Sequence, residues 1–115
     1  MSPEHEREVR AELRAERDRA VVRLRSLEAD LAGIVAASAD DNADDEHDPE
    51  GATIAFERSQ AGALAASARA RLTEVDAALD RLAAGRYGRC EACGEPLPAE
   101  RLAVRPTART HVGCA

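Results

Sequence analysis

Four potential metal ligands lie in two pairs near the end of this chain. Cys90 and Cys93 form a Cys-x-x-Cys pair, and His111 and Cys114 form a second pair with the same spacing. Two such tight turns, joined here by the 17 residues from Gly94 to Thr110, are typical of a tetrahedral zinc site. Because four protein donors leave no open position for water or substrate, the pattern predicts one structural Zn²⁺ per chain and argues against metal catalysis.

Other cysteine chemistry fits the sequence less well. A lone Cys-x-x-Cys is also the pattern of a thiol–disulfide redox pair, but such a pair normally lies on a strand-to-helix turn of a βαβ unit, which nothing in this sequence indicates. The chain has three cysteines, which cannot all pair in disulfides, and no signal peptide precedes them. We therefore expect a cytoplasmic protein whose cysteines bind metal.

The composition favours long helices over a large globular core. Only 2% of the 115 residues are aromatic, 33% are charged, and alanine is abundant. No apolar run approaches the roughly 18 residues that a membrane span requires. No nucleophile–base pair is evident either, so we do not expect an enzyme.

Two long helices are expected to position the metal site. Ser2 is a suitable N-cap for the first helix, with Pro3 at its first position. Asp48 and Pro49 have the same relation to the second helix, and Gly85 is suited to end it. Each helix would cover some 35 residues, or about 50 Å at 1.5 Å per residue.

Apolar or small residues recur along both helices mostly in steps of three and four, with interruptions at Arg17 and Arg58. These positions are Leu13, Ala20, Leu24, Leu27, Leu31 and Ile34 in the first helix, and Ile54, Ala61, Ala65, Ala68, Leu72, Val75, Leu79 and Leu82 in the second. Such stripes predict a mainly α fold, a long antiparallel helical hairpin of coiled-coil type over residues 1–84, followed by a small zinc module over residues 85–115. Pairing of the same stripes in a dimer is the alternative, and we expect a monomer.

Acidic charge is concentrated between the two helices. Residues 40–50 contain seven Asp or Glu and no Lys or Arg, whereas the whole chain has a net charge of −6. Such a run is often only a solvated turn. The functional interpretation is that a carboxylate cluster at the hairpin tip, at about residues 40–52, meets a metal ion or basic groups in a recess of a partner. Phosphates would be repelled, so nucleic acid is a poor partner for this tip.

Three segments of the chain resemble one protein family. Residues 85–97 (GRYGRCEACGEPL) and 100–108 (ERLAVRPTA) look like the zinc-finger signature of the DksA/TraR family of bacterial RNA polymerase-binding regulators. Residues 48–60 (DPEGATIAFERSQ) resemble the entry into that family's second coiled-coil helix. The resemblance implies a transcription regulator that inserts its coiled-coil tip into the secondary channel of RNA polymerase without sequence-specific DNA binding. Some family members act together with the alarmone ppGpp.

The sequence departs from the family pattern at three places. His111 stands where the family most often has cysteine, and zinc accepts imidazole readily. The family's tip pattern Asp-x-x-Asp-x-Ala matches Asp45 and Asp48 but has Glu50 at its last position. A register ending on Ala52 has Glu50 as its second acid and His47 in place of the first. The chain ends one residue after Cys114, where larger members continue into a helix that contacts polymerase and ppGpp, so a ppGpp response is not expected.

Two other classes of function remain open from the sequence. The arginines near the metal ligands would serve a nucleic-acid-binding zinc finger, although acidic residues dilute them. They are Arg86, Arg89, Arg101, Arg105 and Arg109. A coiled-coil structural adaptor is the second alternative, and a stable dimer with its tip buried would favour it.

Overall fold

The computed structural model describes residues 1–40 and 49–115, and these are mainly helical. Helix α1 spans Pro3–Asp40, α2 spans Pro49–Ala83, and α3 spans Ala99–Val104. A 3₁₀ turn at Val112–Cys114 follows. Helices α1 and α2 form the antiparallel hairpin that the apolar stripes predict, and the cysteine-containing segment comes after it.

Two of the predicted helix ends have the expected local structure. The backbone N–H of His5 donates to Ser2 Oγ at 3.1 Å, so Ser2 caps α1. At the end of α2, Gly85 has a φ of 73°. The N–H of Arg86 donates to the carbonyl of Arg81 at 2.8 Å, and that of Gly85 donates to Leu82 at 3.2 Å. These two bonds form a Schellman motif, which requires the left-handed conformation that glycine adopts without strain. The predicted cap Asp48 lies outside the described residues.

The chain divides into two packing units, and the first combines residues 1–18 with residues 72–115. Its largest apolar cluster brings one face of α1 against one face of α2. Leu13 and Val75 are completely buried there, and Tyr87 packs against the same cluster. The cluster also contains Val9 and Ala78, which the predicted stripes omit. Val9 lies one helical turn before Leu13 and therefore extends the same face.

An ion pair explains the interruption of the apolar stripe in α1. Arg17 Nε donates to Asp76 Oδ1 of α2 at 2.6 Å, with both side chains about half exposed. The repeat position in α1 is thus held by a half-buried arginine whose partner lies on the facing helix. The pair also joins positions early in α1 to positions late in α2, as antiparallel helices require.

The second unit comprises residues 19–71. Its buried positions are Ala20, Leu24, Ala65 and Ala68, all in the predicted stripes. Further stripe positions are only half-buried, namely Leu27, Leu31, Ile34, Ile54 and Ala61. Alanine buries little apolar area per residue, so each turn of this unit contributes modestly to stability. Arg69 approaches Glu28 at 4.0 Å across the two helices, an exposed ion pair that contributes little.

Over the described ranges, no helix is both long and apolar enough to cross a bilayer.

Candidate metal centre

The four predicted ligands lie together in the structure. One donor atom from each of Cys90, Cys93, His111 and Cys114 lies within 4.8 Å of all the others. Cys93 Sγ is 3.4 Å from His111 Nδ1, and Cys114 Sγ is 3.9 Å from the same nitrogen. A tetrahedral zinc ion with bonds of about 2.3 Å to sulfur and about 2.0 Å to nitrogen separates such atoms by about 3.5 Å. The donor set therefore fits one metal ion of zinc's size and preferences.

His111 is oriented by its second ring nitrogen. Nε2 lies 3.1 Å from the carbonyl oxygen of Pro96. A carbonyl only accepts, so Nε2 carries the proton and Nδ1, which faces the two sulfurs, is left with its lone pair. This is the usual support of a metal-bound histidine, because the hydrogen bond fixes both the tautomer and the ring angle.

The first ligand pair is held by a tight turn. The N–H of Gly94 donates to the carbonyl of Cys90 at 2.9 Å, and Gly94 has a φ of 77°. The chain then runs back alongside itself. The N–H of Cys90 donates to Glu95 at 2.9 Å, and Arg89 bridges to Pro96 in antiparallel fashion. A third bond, from Leu97 to the carbonyl of Gly88 at 2.8 Å, continues this short ladder.

The second ligand pair is connected to the first through the backbone. The N–H of Glu91 donates to the carbonyl of Arg109 at 2.8 Å. This bond places the segment before His111 against the Cys90–Cys93 turn. The N–H of Cys114 donates to the carbonyl of His111 at 3.0 Å, closing the 3₁₀ turn that brings the last two ligands to one side.

The thiols of the site have unequal acidity. Burial opposes ionisation of Cys90, but hydrogen bonds from the backbone of Cys93, His111 and Ala92 outweigh it and lower the pKa of Cys90 to about 6. Hydrogen bonding to Cys90, together with burial and the neighbouring sulfur of Cys93, raises the pKa of Cys114 to about 11. A buried thiolate already stabilised by backbone donors is a ready first ligand for a cation, which would then favour ionisation of the others.

A small apolar core supports the centre. Cys90, Leu97 and Ala108 are buried together, with Leu102 of α3 packed against them. Cys93 and Cys114 are exposed. Cys90 therefore belongs to the core of the module, whereas Cys93 and Cys114 lie at its surface.

Two polar side chains, one in the last turn of α2 and one just after the helix, bind the segment before His111, and no sequence pattern indicated either role. Arg81, only 6% exposed, donates from Nη2 to the carbonyl of Thr107 at 3.3 Å. Burial and the nearby Arg109 lower the pKa of Arg81 below its ordinary value. The Tyr87 hydroxyl donates to the carbonyl of Pro106 at 2.8 Å. Burial raises the pKa of Tyr87, which keeps the phenol protonated for this bond.

Two of the arginines near the site bind backbone carbonyls of the module. Arg101 Nε donates to the carbonyl of Thr110 at 2.8 Å, and Arg89 Nη1 donates to that of Gly94 at 3.2 Å. Both therefore stabilise the module's own backbone. Arg86, Arg105 and Arg109 are exposed.

The predicted tip residues are only partly within the described ranges. Asp45 and Asp48 lie outside them. Glu50 falls in the first turn of α2, and Ala52 is an exposed position of the same helix. The role of these four residues therefore stays a prediction.

Comparison with known proteins places this centre among zinc fingers. Residues 85–115 match the prokaryotic dksA/traR C4-type zinc finger. The chain is also similar to the transcription factor DksA2 from Pseudomonas aeruginosa. That likeness has a TM-score of 0.78 and 28% sequence identity, and it covers 98% of this chain and 81% of DksA2.

Shorter similarities connect the chain to curated bacterial proteins. It is 46% identical over 46 residues to an uncharacterized protein of Aquifex aeolicus (strain VF5), covering 40% of this chain and 32% of that protein. It is 38% identical over 66 residues to the uncharacterized protein YteA of Bacillus subtilis (strain 168), covering 57% of this chain and 28% of YteA. The chain thus spans about a third or less of each of these two relatives.

The helical hairpin followed by a metal-binding module defines the class as a zinc-finger protein built on a coiled coil. Residues 85–115 are thus similar to the zinc finger of dksA/traR proteins, and the fold of the chain is similar to that of DksA2. The matched zinc finger is of C4 type, whereas the ligand cluster of this chain contains His111 beside three cysteines. Imidazole through Nδ1 satisfies the same tetrahedral geometry, so the substitution preserves the centre.

Proposed function

We propose that this protein regulates transcription by binding RNA polymerase. The observation that carries the proposal is the likeness of nearly the whole chain to the transcription factor DksA2. The zinc-finger match over residues 85–115 supports it independently, because it rests on sequence.

In this proposal the acidic segment is the effector and the hairpin is its support. Residues 40–50 carry seven acidic side chains and no basic one, and they lie in sequence between α1 and α2. A concentration of carboxylates connecting two long helices suits entry into the secondary channel of polymerase, where metal ions and basic groups can meet it. Asp45, Asp48, Glu50 and Ala52 are the proposed contact residues.

The metal has a structural role in this proposal. All four donors come from the protein, so zinc would hold the two ligand pairs together without offering a position for substrate. Its contribution is to order the short segments after α2, whose apolar core is small. We assign no catalytic activity to the protein.

Binding to purified core RNA polymerase, followed by promoter-complex lifetime measurements, tests the proposal. Replacing Asp45 and Asp48 together with Asn should weaken binding or abolish the effect on promoter complexes. The matched control replaces Asp18 and Asp30, two exposed acids of α1, with Asn and makes the same change in net charge. Equal behaviour of the two double variants would remove the acidic segment from the proposal, and absence of any binding by the unaltered protein would leave the adaptor function ahead.

Salt-dependent binding of duplex or single-stranded oligonucleotides is the corresponding test of the nucleic-acid alternative. Binding that Arg105→Gln with Arg109→Gln abolishes would favour that alternative, whereas no binding at moderate salt would exclude it.

A further inference from the structure

A large groove lies within the first packing unit, and none of the four metal ligands lines it. Its volume is about 820 Å³, and its walls come from the start of α1, the end of α2, and α3 with the segment before it. Its apolar lining comes from all three: Tyr87 and Leu102 are half-buried at the surface of the groove, and Val9, Leu82 and Leu97 are buried beneath them. Cavities of 300–1,000 Å³ are the size of ordinary ligand-binding pockets. The groove is therefore large enough to receive several side chains of a partner.

The charged residues of the groove are mostly acidic. Glu6, Glu8 and Glu12 line it along the α1 side. Arg10, which lies outside the groove, forms an ion pair with Glu6 at 3.2 Å. Arg89 is the single Lys or Arg that lines this groove, and it donates to the backbone carbonyl of Gly94. Glu8 and Glu12 are exposed. His5 Nδ1 lies 3.9 Å from the carboxylate of Glu8.

The α3 side of the groove offers small residues. Ala99 and Ala103 line it and are exposed. They lie four residues apart on α3, so both side chains are on one face of the helix. Small side chains let another helix approach closely, while longer side chains of that helix reach the apolar lining.

We propose that this groove docks a basic amphipathic helix of a partner protein. Leucine-type side chains at i, i+3 and i+4 would enter between α1 and α3, and Lys or Arg on the flank would face Glu8 and Glu12. The acidic rim selects against nucleic acid and acidic peptides, because like charges at a desolvated contact are costly. The described residues that line this groove all lie outside residues 40–50, so the proposed docking does not involve the acidic segment.

A fluorescently labelled synthetic peptide tests the proposal with the zinc-loaded full chain. The probe is a helix of about four turns with a leucine stripe flanked by lysines, and its control has glutamate at every lysine position. We expect fluorescence anisotropy to show binding of the lysine peptide, at micromolar to submillimolar concentration, and much weaker binding of the glutamate peptide.

Two groove variants and one tip variant locate the binding. Glu8→Gln with Glu12→Gln should weaken binding at least about fivefold, and Ala103→Arg, which adds bulk and positive charge, should weaken it at least about tenfold. Both sites are exposed, so thermal midpoints should stay near that of the unaltered protein. Asp44→Asn with Asp45→Asn should leave binding unchanged. Loss of binding in that tip variant alone, equal binding of both peptides, or no binding at all would overturn the proposal.

Discussion

Arg17 Nε lies 2.6 Å from Asp76 Oδ1, which joins α1 to α2 at the position where the apolar repeat of α1 is interrupted. The two side chains are 43% and 46% exposed. Half-exposed ion pairs are screened by solvent and salt, so the contribution to stability is small even at this short distance. The pair nevertheless favours one alignment of the helices, because a shifted alignment would leave Arg17 facing a different partner.

A double-mutant cycle on this pair should give a small coupling energy. Arg17→Ala and Asp76→Ala, alone and together, are expected to yield a coupling of about 0.5–1 kcal/mol at low salt. The coupling should decrease markedly in about 1 M salt, where the Debye length is near 3 Å. Urea unfolding of the four proteins measures it, and a coupling that is independent of salt would contradict the electrostatic explanation.

Leu13 should contribute far more to stability than any exposed aliphatic residue of α1. Its side chain is completely buried in the cluster with Val75. Leu13→Ala removes buried methyl groups and leaves a cavity, so we expect a loss of about 2–5 kcal/mol in the free energy of unfolding. Val22, 67% exposed in the same helix, is the control, and Val22→Ala should change stability by less than about 0.5 kcal/mol. Comparable losses in the two variants would mean that the hairpin does not pack as described.

The helices and the ligand set could be predicted from sequence because their signals are local. Periodic apolar residues, Ser2 before Pro3, and Gly85 after α2 each have a direct physical reading, and the structure confirms all three. The two Cys/His pairs were likewise predictable from spacing, and they lie together as expected.

Contacts between distant polar residues were not predictable. In the sequence, Arg81 is one of several charged residues of α2 and nothing distinguishes it. In the structure it is buried and donates to the carbonyl of Thr107. In the sequence, Arg17 is an interruption of the apolar stripe, and its pairing with Asp76 is seen only when the two helices are packed together. Periodicity reports which face of a helix is buried, but it contains no information about which polar group meets which backbone carbonyl.

Removing the metal should loosen the module more than the hairpin. We expect one Zn²⁺ per chain in freshly purified protein, and its release on Cys93→Ser or on treatment with a strong chelator. Release should lower the thermal midpoint, since the apolar core of the module is too small to order it alone. Elemental analysis and thermal unfolding are the measurements. Glu95→Gln, an exposed change two residues from Cys93, is the control and should retain the metal.

His111 should bind the metal through Nδ1 and keep its proton on Nε2. The distances of 3.4 Å to Cys93 Sγ and 3.1 Å to the Pro96 carbonyl assign opposite roles to the two ring nitrogens. In ¹⁵N-labelled protein loaded with ¹¹³Cd²⁺, scalar coupling should appear at Nδ1 of this ring and at neither nitrogen of His5. His111→Cys should retain one metal per chain, because thiolate is an equally good zinc ligand. Coupling at Nε2 would reverse the assignment, and undiminished metal affinity in His111→Ala would remove the ring from the site.

Tyr87 should make stability decrease in alkaline solution. Burial raises the pKa of Tyr87 above its ordinary value of 10.0, and its hydroxyl must stay protonated to donate to Pro106. Because the pKa is higher in the folded state than in the unfolded state, the Tyr87 hydroxyl contributes to the free energy of unfolding fully below about pH 10. This contribution is lost as the pH rises through the folded-state pKa. Tyr87→Phe should therefore lower the free energy of unfolding by about 1 kcal/mol near neutral pH, and the difference between the two proteins should shrink above about pH 10.

Because Tyr87 is the single tyrosine and the chain has no tryptophan, phenolate absorbance follows its ionisation directly. The midpoint should lie higher in the folded protein than in the urea-unfolded chain, and equal midpoints would show that the hydroxyl is neither buried nor bound.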